Sequence, residues 1–246
     1  MSRGIVIEGV TISGAVVASF TLPHGGDPSG ELSARGWSMT GVMSAFTPVG
    51  TRGVTIRLAV VASLDAARPH ETWFPSVLGE QLPDGVVPVR VQRLAAYAVV
   101  ARDGATLLTR LSSQVRGAGL RWTLPGGGID PGEDPSVGLR REVWEETGQH
   151  LGEIQFLDVV TSHWVGQAPD GTWEDYQVVR LVYAATLPEP GPLIIHDIGG
   201  TTCEAAWVDV ETLDAPQRAA LLLGPRWANW RQAAAEREQP ARRAPR

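Results

Sequence analysis

The stretch PGGGIDPGEDPSVGLRREVWEETGQ, residues 125–149 of 246, limits the fold of this chain more than any other. Asp134 is a residue of the N-cap type and Gly148 one of the C-cap type, and one helix length lies between them with Pro135 at its first position. Glu142, Glu145 and Glu146 stand at i, i+3 and i+4, so a single helical face carries three carboxylates. Like charges at that spacing repel, and a helix built for stability alone does not collect them. A bound divalent cation removes the repulsion. Carboxylate oxygens are hard ligands of the kind that suit Mg²⁺ or Mn²⁺. Ahead of the helix, Pro125-Gly126-Gly127-Gly128 is too glycine-rich for a regular element, and it lets the backbone approach a ligand or a metal closely.

The spacing of the charged residues has a known counterpart. Gly127, Glu133, Arg141, Glu142, Val143, Glu145, Glu146 and Gly148 fill eight of the nine defined positions of G-x5-E-x7-R-E-U-x-E-E-x-G-U, with U apolar, and here the chain resembles the Nudix hydrolases. The ninth position is Gln149, polar where the family is usually apolar, a departure that touches packing after the helix and not the ligands. The resemblance implies an α/β chain, a Nudix-type α/β/α sandwich with a mixed sheet, over about residues 90–236. It implies metal-dependent hydrolysis of the pyrophosphate bond in a nucleoside diphosphate linked to another moiety, with a nucleotide, an ADP-ribose-like compound or a nucleotide sugar as substrate.

Carried over residue by residue, the pattern assigns Mg²⁺ or Mn²⁺ to Glu142, Glu145 and Glu146, with the Gly126 carbonyl as a further ligand. Glu142 is also a candidate for orienting or deprotonating the attacking water. Arg141 lies one residue off the acidic face and is expected to pair with Glu133, pinning the loop to the helix. Members of the family often take one more base or ligand from outside the box. Glu174, Asp175, Glu189 and Glu204 are the candidates here, and Glu174 ranks first because it reads as part of a turn between Trp173 and Tyr176. Trp164, Trp173 and Tyr176 are candidates for stacking on a flat substrate, weighed against ordinary packing. His163 reads as a hydrogen-bonded structural histidine. A Nudix-fold ligand sensor or regulator without turnover is the other functional class, but such proteins usually lose a ligand carboxylate or gain a basic DNA-binding domain, and neither is seen in this sequence.

Composition narrows the surroundings. With 43% hydrophobic and 20% charged residues the chain reads as an ordinary globular protein, and its net charge of −6 argues against a nucleic-acid surface. The single Cys203 excludes an intrachain disulfide and reads as a buried structural thiol. No stretch approaches the roughly 20 apolar residues that span a bilayer. Val10 to Phe20, preceded by Glu8, lacks the basic flank of a signal peptide, so a cytoplasmic protein without membrane partners is expected. A small nucleotide-type substrate is the partner implied, and a homodimer is compatible with the sequence.

Residues 1–64 alternate β-branched runs with Gly/Pro/Ser breaks and read as a β-rich or partly ordered N-terminal extension. His24 stands there in a Pro-His-Gly-Gly loop with no second ligand nearby and is expected to be exposed. Residues 65–89, with four prolines, read as a linker, and residues 237–246 as a basic tail. On this reading a chain begun near Pro88 folds and keeps its activity. In the Nudix-like part the expected strands are Val91 to Val100, Thr106 to Leu111, Ile154 to Ser162, Tyr176 to Thr186 and Ala205 to Val210. Val137, Leu139 and Val143 are the expected apolar face of the central helix. A C-terminal helix broken at Gly224-Pro225 is expected to close the chain.

Overall fold

The computed structural model describes residues 4–63, 78–79, 81–113, 115, 119–168 and 170–242. Most of the stretch read as a linker and the last residues of the basic tail lie outside them. In order, the elements are β1 (Ile5–Val10), β2 (Val16–Thr21), α1 (Pro28–Ser33), β3 (Trp37–Phe46), β4 (Val54–Ala62), β5 (Leu78–Gly79) and β6 (Val89–Val99). There follow β7 (Ala101–Arg102), β8 (Ala105–Leu111), β9 (Trp122–Thr123), β10 (Gly126–Gly128), α2 (Pro135–Thr147), β11 (Ile154–Gln167) and β12 (Trp173–Ala185). Finally come β13 (Thr202–Val208), α3 (Ala220–Leu223) and α4 (Trp227–Arg242). The sheets run β2-β1-β4-β3, then β10-β6-β12-β11-β5, then β13-β8-β7 with β9 on β8, so the chain is mixed α/β.

Two compact units emerge. The first contains residues 1–95, 128–135 and 158–181, and the second residues 96–127, 136–157 and 182–246.

In the first unit β1 lies between a parallel neighbour, β4, and an antiparallel one, β2. The period of two sends Ile5 and Ile7 of β1 and Val54, Ile56, Leu58 and Val60 of β4 inward, where all six are buried. Leu32 of α1 joins them fully buried, and truncating such a side chain costs about 2–5 kcal/mol. Asp27 starts α1 by accepting from the Gly30 amide at 2.9 Å, with Pro28 in the first turn. Residues of the N-terminal sheet are bonded to later segments of the same unit. Thr47 Oγ1 donates to the Glu133 carbonyl at 2.7 Å, and Gln92 Nε2 donates to the Leu22 carbonyl at 3.3 Å.

The second unit is arranged around α2. Leu139 and Val143 are fully buried on one face of it. Val137 departs from the expectation: it is 56% exposed. At 3.6 residues per turn it stands about 200° around the helix from Leu139, too far to share the face. In α4, Trp227, Trp230 and Ala234 recur at helical spacing and are buried, and the break before them falls at Gly224 as expected. Cys203 corrects another expectation. It is exposed on β13, with its thiol 3.6 Å from the Leu111 carbonyl, because it falls where the pairing of β13 with β8 shifts register between Thr202 and Glu204, and alternation breaks there.

Three elements are more regular than the sequence suggested. Gly126–Gly128 form a short strand, β10, beside β6, where a loop was expected. The glycines permit it: Gly126 has φ +137°, and a Cβ there would stand 2.1 Å from the Ala96 carbonyl oxygen. The β11 and β12 strands extend to Gln167 and from Trp173, so Glu174 lies on a strand and not in a turn.

Candidate active site

The acidic face of α2 meets the glycine-rich strand at two carboxylates. Glu146 is buried, and its Oε2 accepts from the Gly126 amide at 2.9 Å and, more loosely, from Thr109 Oγ1 at 3.5 Å. Thr202 Oγ1 donates to its other oxygen. Burial pushes the Glu146 carboxyl up to about 7, and the charge of Glu142 pushes the same way, while the bonds from Thr202, Gly126 and Thr109 oppose it. Near neutral pH the group is thus poised between its two protonation states. Thr109 and Thr202 lie 37 and 56 residues from Glu146, and no local signal in the sequence points to them.

Glu142 leans on the backbone of Gly127, where a Cβ would stand 2.2 Å from its Oε2. That contact explains the glycine: any side chain would displace the carboxylate. Arg141 Nη1 lies 2.8 Å from Glu142 Oε1 and 3.1 Å from Glu145 Oε2. A guanidinium therefore balances these two carboxylates, while the donors to Glu146 among the described residues are neutral. Glu133, the expected partner of Arg141, accepts from the Asp130 amide at 3.0 Å and closes the loop ahead of α2. The Gly126 amide engages the site by donating to Glu146.

The donor chemistry fits a hard divalent cation. Glu142 and Glu146 are close enough for the charge of one to raise the pKa of the other, and Glu146 is a buried carboxylate with no cationic partner among its described contacts. Such an ion would take the place of the proton that burial now favours.

The remaining candidates fall in different places. Glu174, Trp173 and Tyr176 are half-buried on β12, and the Tyr176 ring lies 5.4 Å from that of Trp164 on β11, so those two aromatics pack on each other. Glu189 is exposed. Glu204 is exposed and pairs with Arg110 at 3.2 Å, the arrangement of a surface ion pair. His163 is hydrogen-bonded, as expected, and its partner is Asp175. His24 corrects the expectation of an exposed loop histidine: its side chain is 17% exposed and it lies beside these two residues.

No helix among the described residues is long and apolar enough to cross a membrane. Among proteins of assigned activity, the chain is 34% identical over 98 residues to nucleoside triphosphatase NudI of Enterobacter sp., a match covering 37% of this chain and 67% of that protein. It is 30% identical over 138 residues to human 8-oxo-dGDP phosphatase NUDT18, covering 54% of this chain but 38% of the relative. Among solved structures, a NUDIX hydrolase from Nitrosomonas europaea aligns with 23% identity and a TM-score of 0.44 over 58% of this chain and 90% of that one. The NUDIX domain family model matches residues 91–225, more than half of the chain and all of the acidic helix with its glycine strand. The chain therefore belongs to the NUDIX domain family.

Proposed function

We propose that this chain is a metal-dependent pyrophosphohydrolase acting on a nucleoside di- or triphosphate or a related nucleotide conjugate. The observation that carries the reading is the pair Glu142 and Glu146, two carboxylates gathered on the Gly126-Gly127 backbone, one of them buried with no balancing cation among the described residues. Glu142 and Glu146 would hold a Mg²⁺- or Mn²⁺-type ion, with Glu145 as the third ligand once Arg141 yields it. Such an ion supplies neutralisation of phosphate oxygens and a bound water of lowered pKa.

The chain's own residues prepare the rest. Gly126 and Gly127 let the strand lie against the Ala96 backbone and the Glu142 carboxylate, because neither carries a Cβ. Thr202 and Thr109 orient the Glu146 carboxyl, and its raised pKa lets it hold or release a proton near neutrality. Arg141, paired with both Glu142 and Glu145, offsets their mutual repulsion in the absence of another cation. Glu174 is retained as a candidate base and Trp164, Trp173 and Tyr176 as candidate stacking groups. The named activities of NudI and NUDT18 favour a nucleoside triphosphate or an oxidised nucleoside diphosphate as first substrates to try.

The test is a panel of nucleoside tri- and diphosphates, their oxidised forms, ADP-ribose and nucleotide sugars, assayed for released phosphate or nucleoside monophosphate with Mg²⁺ and with EDTA. Turnover of at least one compound is expected with Mg²⁺ and none in EDTA. Full turnover by metal-stripped protein would overturn the reading.

A further inference from the structure

The first unit contains a grouping of ligands that the acidic helix does not use. Among the described residues, His24, His163 and Asp175 form the one set of three potential metal-binding side chains whose donor atoms all lie within 4.8 Å of one another. They come from three places in the chain: the turn after β2, strand β11 and strand β12. His163 Nε2 contacts Asp175 Oδ1, and His24 Nε2 stands 3.1 Å from the same oxygen. The rings meet edge to face, with centroids 5.2 Å apart and planes at 88°, so both Nε2 atoms reach a common point without stacking.

Three observations set this apart from a chance surface cluster. His24 Nε2 is buried, and its contact with Asp175 Oδ1 at 3.1 Å is shared with His163, so both imidazoles turn toward one carboxylate oxygen. Each of the three side chains is only 17% exposed, leaving a narrow opening to solvent. The turn that carries His24 is also fixed in place. Gln177, buried two residues beyond Asp175, accepts from the Gly25 amide at 2.9 Å and donates to the Gly26 carbonyl. Gly25 adopts φ +78°, and a Cβ there would touch the His163 ring at 3.3 Å, so the turn and the imidazole fit closely.

The charges suit a cation. Asp175 is the one carboxylate of the set, and both imidazoles present a nitrogen to its Oδ1. Among the described residues its second oxygen faces the exposed Arg90, at 3.7 Å. Ligand atoms around tetrahedral zinc, each at about 2.0–2.2 Å, stand about 3.3 Å from one another, close to the His24–Asp175 spacing.

We propose that His24, His163 and Asp175 bind one divalent cation of the Zn²⁺ class through two imidazole nitrogens and one carboxylate oxygen. The fourth position is left to solvent. Imidazole selects this class over Mg²⁺, whereas the all-carboxylate face of α2 favours Mg²⁺ or Mn²⁺, so the two sites divide the metals by ligand type. The ion ties the turn after β2 to strands β11 and β12 and staples the first unit together.

The experiment uses the untagged full chain, stripped with chelator, dialysed and loaded with ZnCl₂ in excess Mg²⁺. Bound zinc is counted after gel filtration, and its shell is read by X-ray absorption. About one zinc per chain is expected, with two imidazole neighbours, in the wild type and in the double variant E142Q/E146Q. His24→Ala, His163→Ala and Asp175→Asn should each lower it to near zero. The wild-type spectrum decides the matter even if a variant fails to fold. A shell without imidazole, no retained zinc, or zinc lost in E142Q/E146Q alone would overturn the proposal.

Discussion

Burial removes the Glu146 carboxyl from water, and its partners only partly compensate. The folded value of about 7 lies above the ordinary 4.5, so the folded chain binds this proton more tightly than the unfolded chain does. Stability tied to the group is therefore complete below pH 4.5 and is lost as pH rises through about 7. The loss amounts to roughly 3 kcal/mol. In EDTA, the Tm of the wild type should fall relative to that of Glu146→Gln between pH 5 and pH 8, and saturating Mg²⁺ should remove most of the difference. A pH-independent gap between the two proteins would show that the carboxyl is not perturbed. The same substitution should lower kcat at saturating Mg²⁺ by about 10²-fold or more, since the lost charge belongs to the ion that stabilises the transition state. Near-full activity in Glu146→Gln would instead assign the carboxylate to the scaffold.

At the scale of elements, the end of α2 shows how a departure from the family pattern is absorbed. Gln149 is 2% exposed, yet its amide is satisfied: Nε2 donates to the Pro192 carbonyl at 2.9 Å, and Oε1 accepts from the Gly191 amide at 3.0 Å. The same loop caps the helix. The amides of Ile194 and His196 donate to the carbonyls of Thr147 and Glu145, and the His196 ring stacks on Trp144 at 4.2 Å. An apolar residue at position 149 would fill the space and release the loop. Gln149→Leu should cost about 1–3 kcal/mol, a Tm drop of about 2–4 °C for each kcal/mol, and should speed proteolysis within residues 188–200. An unchanged Tm would mean that helix capping alone holds the loop. The helix itself was readable from its caps and spacing. The ends of β11 and β12 were not, because Ser162-His163-Trp164 and Trp173-Glu174-Asp175 carry polar and aromatic groups whose partners come from elsewhere in the chain.

For the whole molecule, the open question is what residues 1–64 contribute. The first unit includes them together with residues 128–135 and 158–181, and several bonds join these segments. Removing the N-terminal sheet would strip Glu133 of its Thr47 partner and Gln177, 1% exposed, of its bonds to Gly25 and Gly26. Gln177 Oε1 keeps its bond from Gln92 Nε2, but Nε2 loses the Gly26 carbonyl; such an unsatisfied buried donor costs about 1–3 kcal/mol, and the lost apolar contacts of the sheet add to it. We expect a chain begun at Pro88 to show a lower Tm and a broader transition than the full chain. Reading these residues as a separable extension makes the opposite forecast, and comparing the two melting curves decides between them.

What the sequence determined by itself is local. The spacing of Glu142, Glu145 and Glu146, the caps at Asp134 and Gly148 and the glycines ahead of them are fixed by backbone geometry and charge within 25 residues, and they suffice to identify the family. Tertiary structure decided what depends on partners distant in sequence. Only folding buries Glu146 between Thr109 and Thr202, balances Glu142 and Glu145 against Arg141, and turns Val137 and Cys203 outward. It also sets His24 beside His163 and Asp175, residues more than 130 positions away. Periodicity and spacing report on neighbours along one element, whereas burial and pairing are properties of the surfaces that elements present to one another.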